Sequence, residues 1–121
     1  MSRQAGMRTA RPTPATFARV APMFTALGDP TRLQLVSRLC DEGPLSISRL
    51  TAGTPLTRQA VTKHLRVLEG AGLATVARDG REQRWQVDPR RLADTRRQLA
   101  RIAAQWDGAL ARLTRHVTAD R

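Results

Sequence analysis

The segment Leu56–Leu68, LTRQAVTKHLRVL, constrains the fold most, because its chemistry divides cleanly at 3.6 residues per turn. Val61, Leu65 and Leu68 fall on one face, with Ala60 and His64 beside them. Gln59, Thr62, Lys63 and Arg66 follow the i, i+3, i+4, i+7 spacing on the opposite face. Thr57 offers a hydroxyl to an unpaired first-turn amide, and Gly72 offers a stop. The polar stripe carries Arg, Lys, Gln and Thr with no carboxylate, which is the donor set that reads base edges and grips phosphates in a major groove. An ordinary amphipathic helix with a solvated basic face shows the same stripe, so the rest of the chain has to decide between the two.

Charge is the second constraint. The chain has 121 residues and a formal net charge of +11, which calls for a polyanionic partner, either nucleic acid or an anionic membrane surface. The length suits one domain with a single modest core. A single cysteine, Cys40, excludes an intramolecular disulfide and fits a reducing compartment. No apolar run approaches the ~20 residues needed to span a bilayer, and the Arg/Pro/Thr-rich start lacks the apolar centre of a secretory signal. The expected location is the cytoplasm.

Residues 1–13 carry Arg3, Arg8, Arg11 and Pro12 with little to bury, and are expected to form a flexible basic tail. The domain is expected over residues 14–118. Its first helix starts at Pro14 or Ala15 and runs to about Leu27, with Phe17, Val20, Met23, Phe24 and Leu27 on one face; Pro22 is expected to kink or divide it. In Gly28-Asp29-Pro30, the glycine can end one helix, the aspartate can cap the next, and the proline sits where a missing N–H costs nothing. The second helix continues to about Asp41, is expected to bury Leu33, Val36, Leu39 and Cys40, and stops at Gly43-Pro44. Ser46 caps a short helix through Ile47, Leu50 and Thr51, and Gly53-Thr54-Pro55 then turns the chain into the opening segment. A short helix, a tight turn and a polar-faced helix together make a helix-turn-helix arrangement.

After Gly72 the period changes to two. Leu73–Arg78 and Glu82–Val87 are expected to pair as a hairpin around Asp79-Gly80 in a type I′ turn. That register would oppose Arg78 and Arg81, an arrangement that calls for an anion between them. With Arg84 the hairpin makes a basic wing, while Trp85 and Val87 face the core; a charged edge that blunts aggregation is the alternative. Asp88-Pro89 opens a last helix to about Val117. Its apolar residues Leu99, Ala103, Trp106, Leu110, Leu113 and Val117 alternate steps of four and three, with Leu92 one heptad before and Ile102 beside the line. That is a coiled-coil seam. Such a helix spans ~45 Å, longer than the domain is wide, so a second copy is the simplest cover for it, with a membrane surface or a partner's groove as the alternative.

LGDPTRLQLVSRL (Leu27–Leu39), LTRQAVTKHLRVLEGAGL (Leu56–Leu73) and RDGREQRWQVDP (Arg78–Pro89), in this order and spacing, resemble the ArsR/SmtB family of bacterial winged-helix transcriptional regulators. The resemblance covers about residues 15–117. It implies a mainly α fold with a small β-hairpin, in the order α-α-α-α-β-β-α, forming a homodimer through its terminal helices (the last about 89–117). It places Arg58, Gln59, Thr62, Lys63 and Arg66 of the fourth helix, and Arg78, Arg81 and Arg84 of the wing, at double-stranded DNA. Phe17, Val20, Phe24, Leu99, Ile102, Ala103, Trp106, Leu110 and Leu113 are the corresponding dimerisation residues. His64 matches the family's helix pattern and is expected to be a buried or half-buried helix residue. Many members sense metal through paired cysteines on the helix before the recognition helix, but Ser46-Ile47-Ser48-Arg49-Leu50 has no thiol. Asp107, His116 and Asp120 on the last helix do not make a tetrahedral zinc site, so neither metal nor cofactor is expected. Cys40 is expected to be a small core residue. The implied function is a homodimeric repressor on a palindromic operator, with a non-specific DNA-coating protein as the alternative. With no tyrosine, one cysteine, and His64 and His116 far apart, no catalytic constellation is present in the sequence.

Overall fold

The computed structural model describes residues 11–119. Five helices and three strands follow in the order α1 (Pro14–Leu27), α2 (Pro30–Glu42), β1 (Leu45–Ser46), α3 (Ile47–Ala52), α4 (Arg58–Gly70), β2 (Ala74–Asp79), β3 (Glu82–Val87) and α5 (Pro89–Ala119). Residues 1–10 of the expected tail lie outside the described residues. Thr13 belongs with the domain, because its side chain accepts from the Thr16 amide and caps α1.

The helix boundaries follow from side chains that satisfy first-turn amides. Asp29 accepts from the Arg32 amide at 3.1 Å, Ser46 from Arg49 at 3.2 Å, and Thr57 from Ala60 at 3.1 Å. At the far end of α4 the Gly72 amide donates to Glu69 and the Leu73 amide to Leu68, each at 2.9 Å. This paired closure needs a left-handed residue, and Gly72 has φ +80°. α1 runs unbroken through Pro22, which is exposed, so the expected division into two pieces does not occur.

The core gathers Met23 and Ala26 of α1, Leu35, Val36 and Leu39 of α2, Leu45, Leu50, the α4 trio Val61, Leu65 and Leu68, then Leu73, Ala74 and Trp85. α2 corrects the sequence expectation. Leu33 and Cys40 are exposed, and Leu35 takes the buried position. Apolar residues spread over nearly half the circumference of α2, and packing against α1 and α4 selects the 35/36/39 face.

The sheet has the order β1-β3-β2, all antiparallel. The two-residue β1 was not foreseen; it pairs Leu45 with Trp85 and Ser46 with Arg84. The hairpin register also differs from expectation. Asp79 pairs with Glu82 and Arg78 with Gln83, so the loop residues are Gly80 and Arg81. Among the described residues no non-glycine has positive φ, whereas Gly80 has +66°. Positive φ at the first loop position alone is the type II′ pattern, not type I′. Arg78 and Arg81 are therefore not opposed, and the argument for an anion between them falls. α5 extends to Ala119, two residues beyond expectation. Among the described residues no helix is long and apolar enough to cross a membrane.

Candidate nucleic-acid interface

α4 places its polar stripe outward because Val61, Leu65 and Leu68 are fully buried beneath it. Arg58, Gln59, Lys63 and Arg66 are exposed and Thr62 is half-buried. Val67 joins them at 40% exposure, an apolar position on the rim of the stripe that sequence reasoning did not single out. Its signal was its place on the helical wheel, one turn on from Lys63.

Arg66 is the exception among the donors. Its Nη1 donates to Glu69 Oε1 at 2.9 Å, and its Cζ lies 5.0 Å from the centroid of the buried Trp85 ring. The side chain therefore leans across from α4 onto the sheet, held by an ion pair and a cation–π contact. It is exposed but engaged, and it braces the wing against the helix.

Strand alternation sorts the wing arginines. Arg78 pairs with Gln83 and shares the face of Val76 and Trp85, the side turned toward α4. Arg84 pairs with Ala77 on the opposite face. Its Nη2 lies 3.6 Å from Asp79 Oδ2 and 3.5 Å from Glu82 Oε2, so its charge is offset within the wing. Arg81 projects from the loop between Asp79 and Glu82 and is exposed. The three arginines thus occupy three different settings on one ribbon.

His64 is half-buried on α4, as expected. Its Nδ1 lies 3.4 Å from Arg32 Nη1 and 3.9 Å from Asp29 Oδ2. The hydrogen bond from the Arg32 amide, then the positive charge of Arg32, holds the Asp29 carboxyl below its ordinary range. Among the described residues no group of three or more His, Cys, Asp or Glu stands together; Asp120 lies outside them.

The terminal helices present a second, apolar surface. Along α5, Leu99, Trp106, Leu110, Leu113 and Val117 are 49–60% exposed, and Phe17 of α1 is 43% exposed. Phe24, Ile102 and Ala103 are half-buried. Val20 is different. It is wholly buried within the protomer, so it belongs to the protomer's interior. The ridge continues into an apolar groove of about 770 Å³ lined by Phe24, Leu27, Leu33, Cys40, Leu92 and Leu99. Arg19 of α1 and Asp94 of α5 form an ion pair beside it; that hydrogen bond, with those from Gln98 and Arg97, holds the Asp94 carboxyl below its ordinary range.

A capped short helix, a turn through Gly53, a donor-faced helix seated on the core and a flanking hairpin together define a winged helix-turn-helix DNA-binding domain. Comparison with known proteins narrows this. The helix-turn-helix domain family matches residues 27–77. HTH-type transcriptional regulator Rv2034 of Mycobacterium tuberculosis is 40% identical over 87 residues, which cover 72% of this chain and 78% of that protein. The structure of an ArsR-like transcriptional regulator from Rhodococcus sp. RHA1 superposes with a TM-score of 0.69 at 38% identity, over 84% of this chain and 94% of that one. A homodimeric winged helix-turn-helix DNA-binding domain from Mycobacterium bovis shares the fold at 22% identity and a TM-score of 0.61, over 75% and 82% of the two chains. The chain belongs to the ArsR family of helix-turn-helix transcriptional regulators. It is a DNA-binding regulator and not an enzyme.

Proposed function

We propose that the protein is a homodimeric, sequence-specific repressor that binds a palindromic operator in the cytoplasm and excludes polymerase from the promoter it covers. The observation that carries this reading is the uncovered apolar ridge of α5, with Leu99, Trp106, Leu110 and Leu113 about half exposed in one seam. A strip of this kind on a helix longer than its domain calls for an apolar partner, and a second copy supplies the same seam in two-fold arrangement. Phe17, Phe24, Ile102 and Ala103 extend the contact. The homodimeric M. bovis domain of the same fold is in keeping with it.

A two-fold pair presents two copies of α4 about one duplex turn, ~34 Å, apart, which is why the site is read as a palindrome. Arg58, Gln59, Thr62 and Lys63 contact bases and backbone, and Val67 packs on a thymine methyl. Arg66 steadies the wing through Trp85 while reaching the groove edge. Arg81 and Arg78 touch flanking phosphates, and Arg84 contributes least because Asp79 and Glu82 already neutralise it. Selection of duplexes from a random library by the full chain tests this. The expected product is a site with inverted symmetry, bound by two chains and resistant to bulk competitor DNA. Enrichment of no sequence, with binding lost equally to any competitor, points instead to a DNA-coating protein.

A further inference from the structure

For a dimer to hold its two reading helices at a fixed spacing, α4 must keep one orientation against the terminal helices that carry the apolar face. Beside the apolar packing of α1 on α4, a polar side chain of α2 bridges the two helices. Arg32 Nε donates to Ala26 O at 2.6 Å and Nη2 donates to Thr25 O at 3.5 Å, two carbonyls in the last turn of α1. Thr25 O also accepts the Gly28 amide at 3.1 Å, whereas Ala26 O is one of the last-turn carbonyls left without a partner in its own helix, and a cation suits that end of the helix dipole. The remaining arm, Nη1, reaches 3.4 Å across to His64 Nδ1 on α4. A guanidinium has no lone pair to offer, so in this contact it is the donor and His64 Nδ1 the acceptor. Asp29 completes the arrangement, accepting the Arg32 amide at 3.1 Å with His64 Nδ1 3.9 Å away.

We infer that Arg32 is a positioning residue for DNA reading: one guanidinium ties the C-terminus of α1 to His64 and fixes the pitch of α4 against the dimer-bearing helices. The inference rests on α4 being the helix that reads DNA. The planar fork is essential, since three acceptors on two helices lie around one group; a lysine ammonium on its flexible stem does not meet all of them. The sequence hid this link, because Arg32 sits 32 residues from His64 and looks like an ordinary first-turn residue behind a proline.

The test measures orientation and reading separately. Nitroxide labels at Ala18→Cys on α1 and Gln59→Cys on α4, in a Cys40→Ser background diluted with unlabelled chain, report the α1–α4 distance within one protomer. One narrow distance is expected with Arg32 and His64 in place, and a shifted or broadened distribution with Arg32→Ala or His64→Leu. His64→Asn keeps an acceptor near the Nδ1 position and is expected to restore the narrow peak. Without labels, Arg32→Ala and His64→Leu should each weaken the library-selected duplex about tenfold or more, as loss of a charge-assisted hydrogen bond does, while random duplex changes less than about twofold. The double variant should be no weaker than either single one. Unchanged distances, or equal losses on both duplexes, overturn the inference. Should Arg32→Ala not fold, the His64→Leu and His64→Asn pair carries the test alone. If the wild-type chain selects no duplex, the proposed function fails while the distance distributions still decide whether Arg32 orients α4.

Discussion

α4 and α5 are both amphipathic, and the protomer treats them in opposite ways. Beneath α4 the apolar trio Val61, Leu65 and Leu68 is wholly covered by the rest of the domain, which leaves the donors outside. α5 turns buried Thr95 and Gln98 toward its own domain and leaves Leu99, Trp106, Leu110, Leu113 and Val117 in solvent. Thr95 stays satisfied there by donating to Arg91 O at 2.8 Å, with Met23 Sδ at the same distance. A helix whose apolar face is covered within the chain has its polar face available for work. One whose apolar face stays open has assembly as its work.

The largest effect should come from α4. Leu65→Ala leaves a cavity under the helix and is expected to cost about 2–5 kcal/mol of stability in denaturant titration. Leu110→Ala, on the open ridge of α5, should change the unfolding of the dilute protomer by less than about 0.5 kcal/mol. Comparable losses at the two positions would erase the contrast, because α5 would then be as embedded as α4.

The next effect sharpens the assembly half. Leu110→Glu places a charge in the proposed seam, where it has no partner when two copies meet. Sedimentation is expected to show a monomer with an unchanged far-ultraviolet spectrum, and the selected duplex should be lost at concentrations where the native chain binds it. A variant that remains dimeric would move the interface off this ridge.

Lys63→Ala addresses the reading half. It should weaken the selected duplex by about 1–3 kcal/mol and relax preference at one base pair in each half-site. A uniform loss on all sequences would reduce Lys63 to a phosphate contact.

Much of this contrast was legible before any coordinates. Thr57, Ser46 and Asp29 announce their helices because capping is a local transaction between one side chain and an amide three residues on. The α4 stripe was legible because only one face of that segment is apolar. α2 was not, since Leu33, Leu35, Val36, Leu39 and Cys40 offer more than one apolar face and only tertiary packing chooses. β1 was invisible because two residues have no period; its existence depends on the edge that β3 exposes. The hairpin erred for a different reason. A loop of Asp79-Gly80 and one of Gly80-Arg81 differ by two in register and keep Trp85 on the same face, so hydrophobic alternation cannot tell them apart. Gly80 alone at positive φ decides it. Arg66 on Trp85 and Arg32 on His64 were missed because long flexible side chains pair across space without any sequence signal.

The wing supplies the smallest effect and the finest version of the comparison, since Arg81 and Arg84 stand three residues apart on one ribbon in opposite electrostatic settings. Arg84 lies within 3.6 Å of two carboxylates, whereas Arg81 projects from the tip. A cation that neutralises a phosphate displaces about one condensed counterion, and its removal lowers the slope of log Kd against log salt by about one per contact. Arg81→Gln should therefore flatten the salt dependence by about one unit per protomer that touches the backbone. Arg84→Gln should barely alter the slope, because Asp79 and Glu82 already balance the charge it removes, and losing it leaves those acids to repel the duplex slightly. Measuring both slopes on the selected duplex separates a wing that grips DNA with every arginine from one that grips with its tip. Equal slopes for the two variants would mean that the Arg84 ion pairs break when DNA binds.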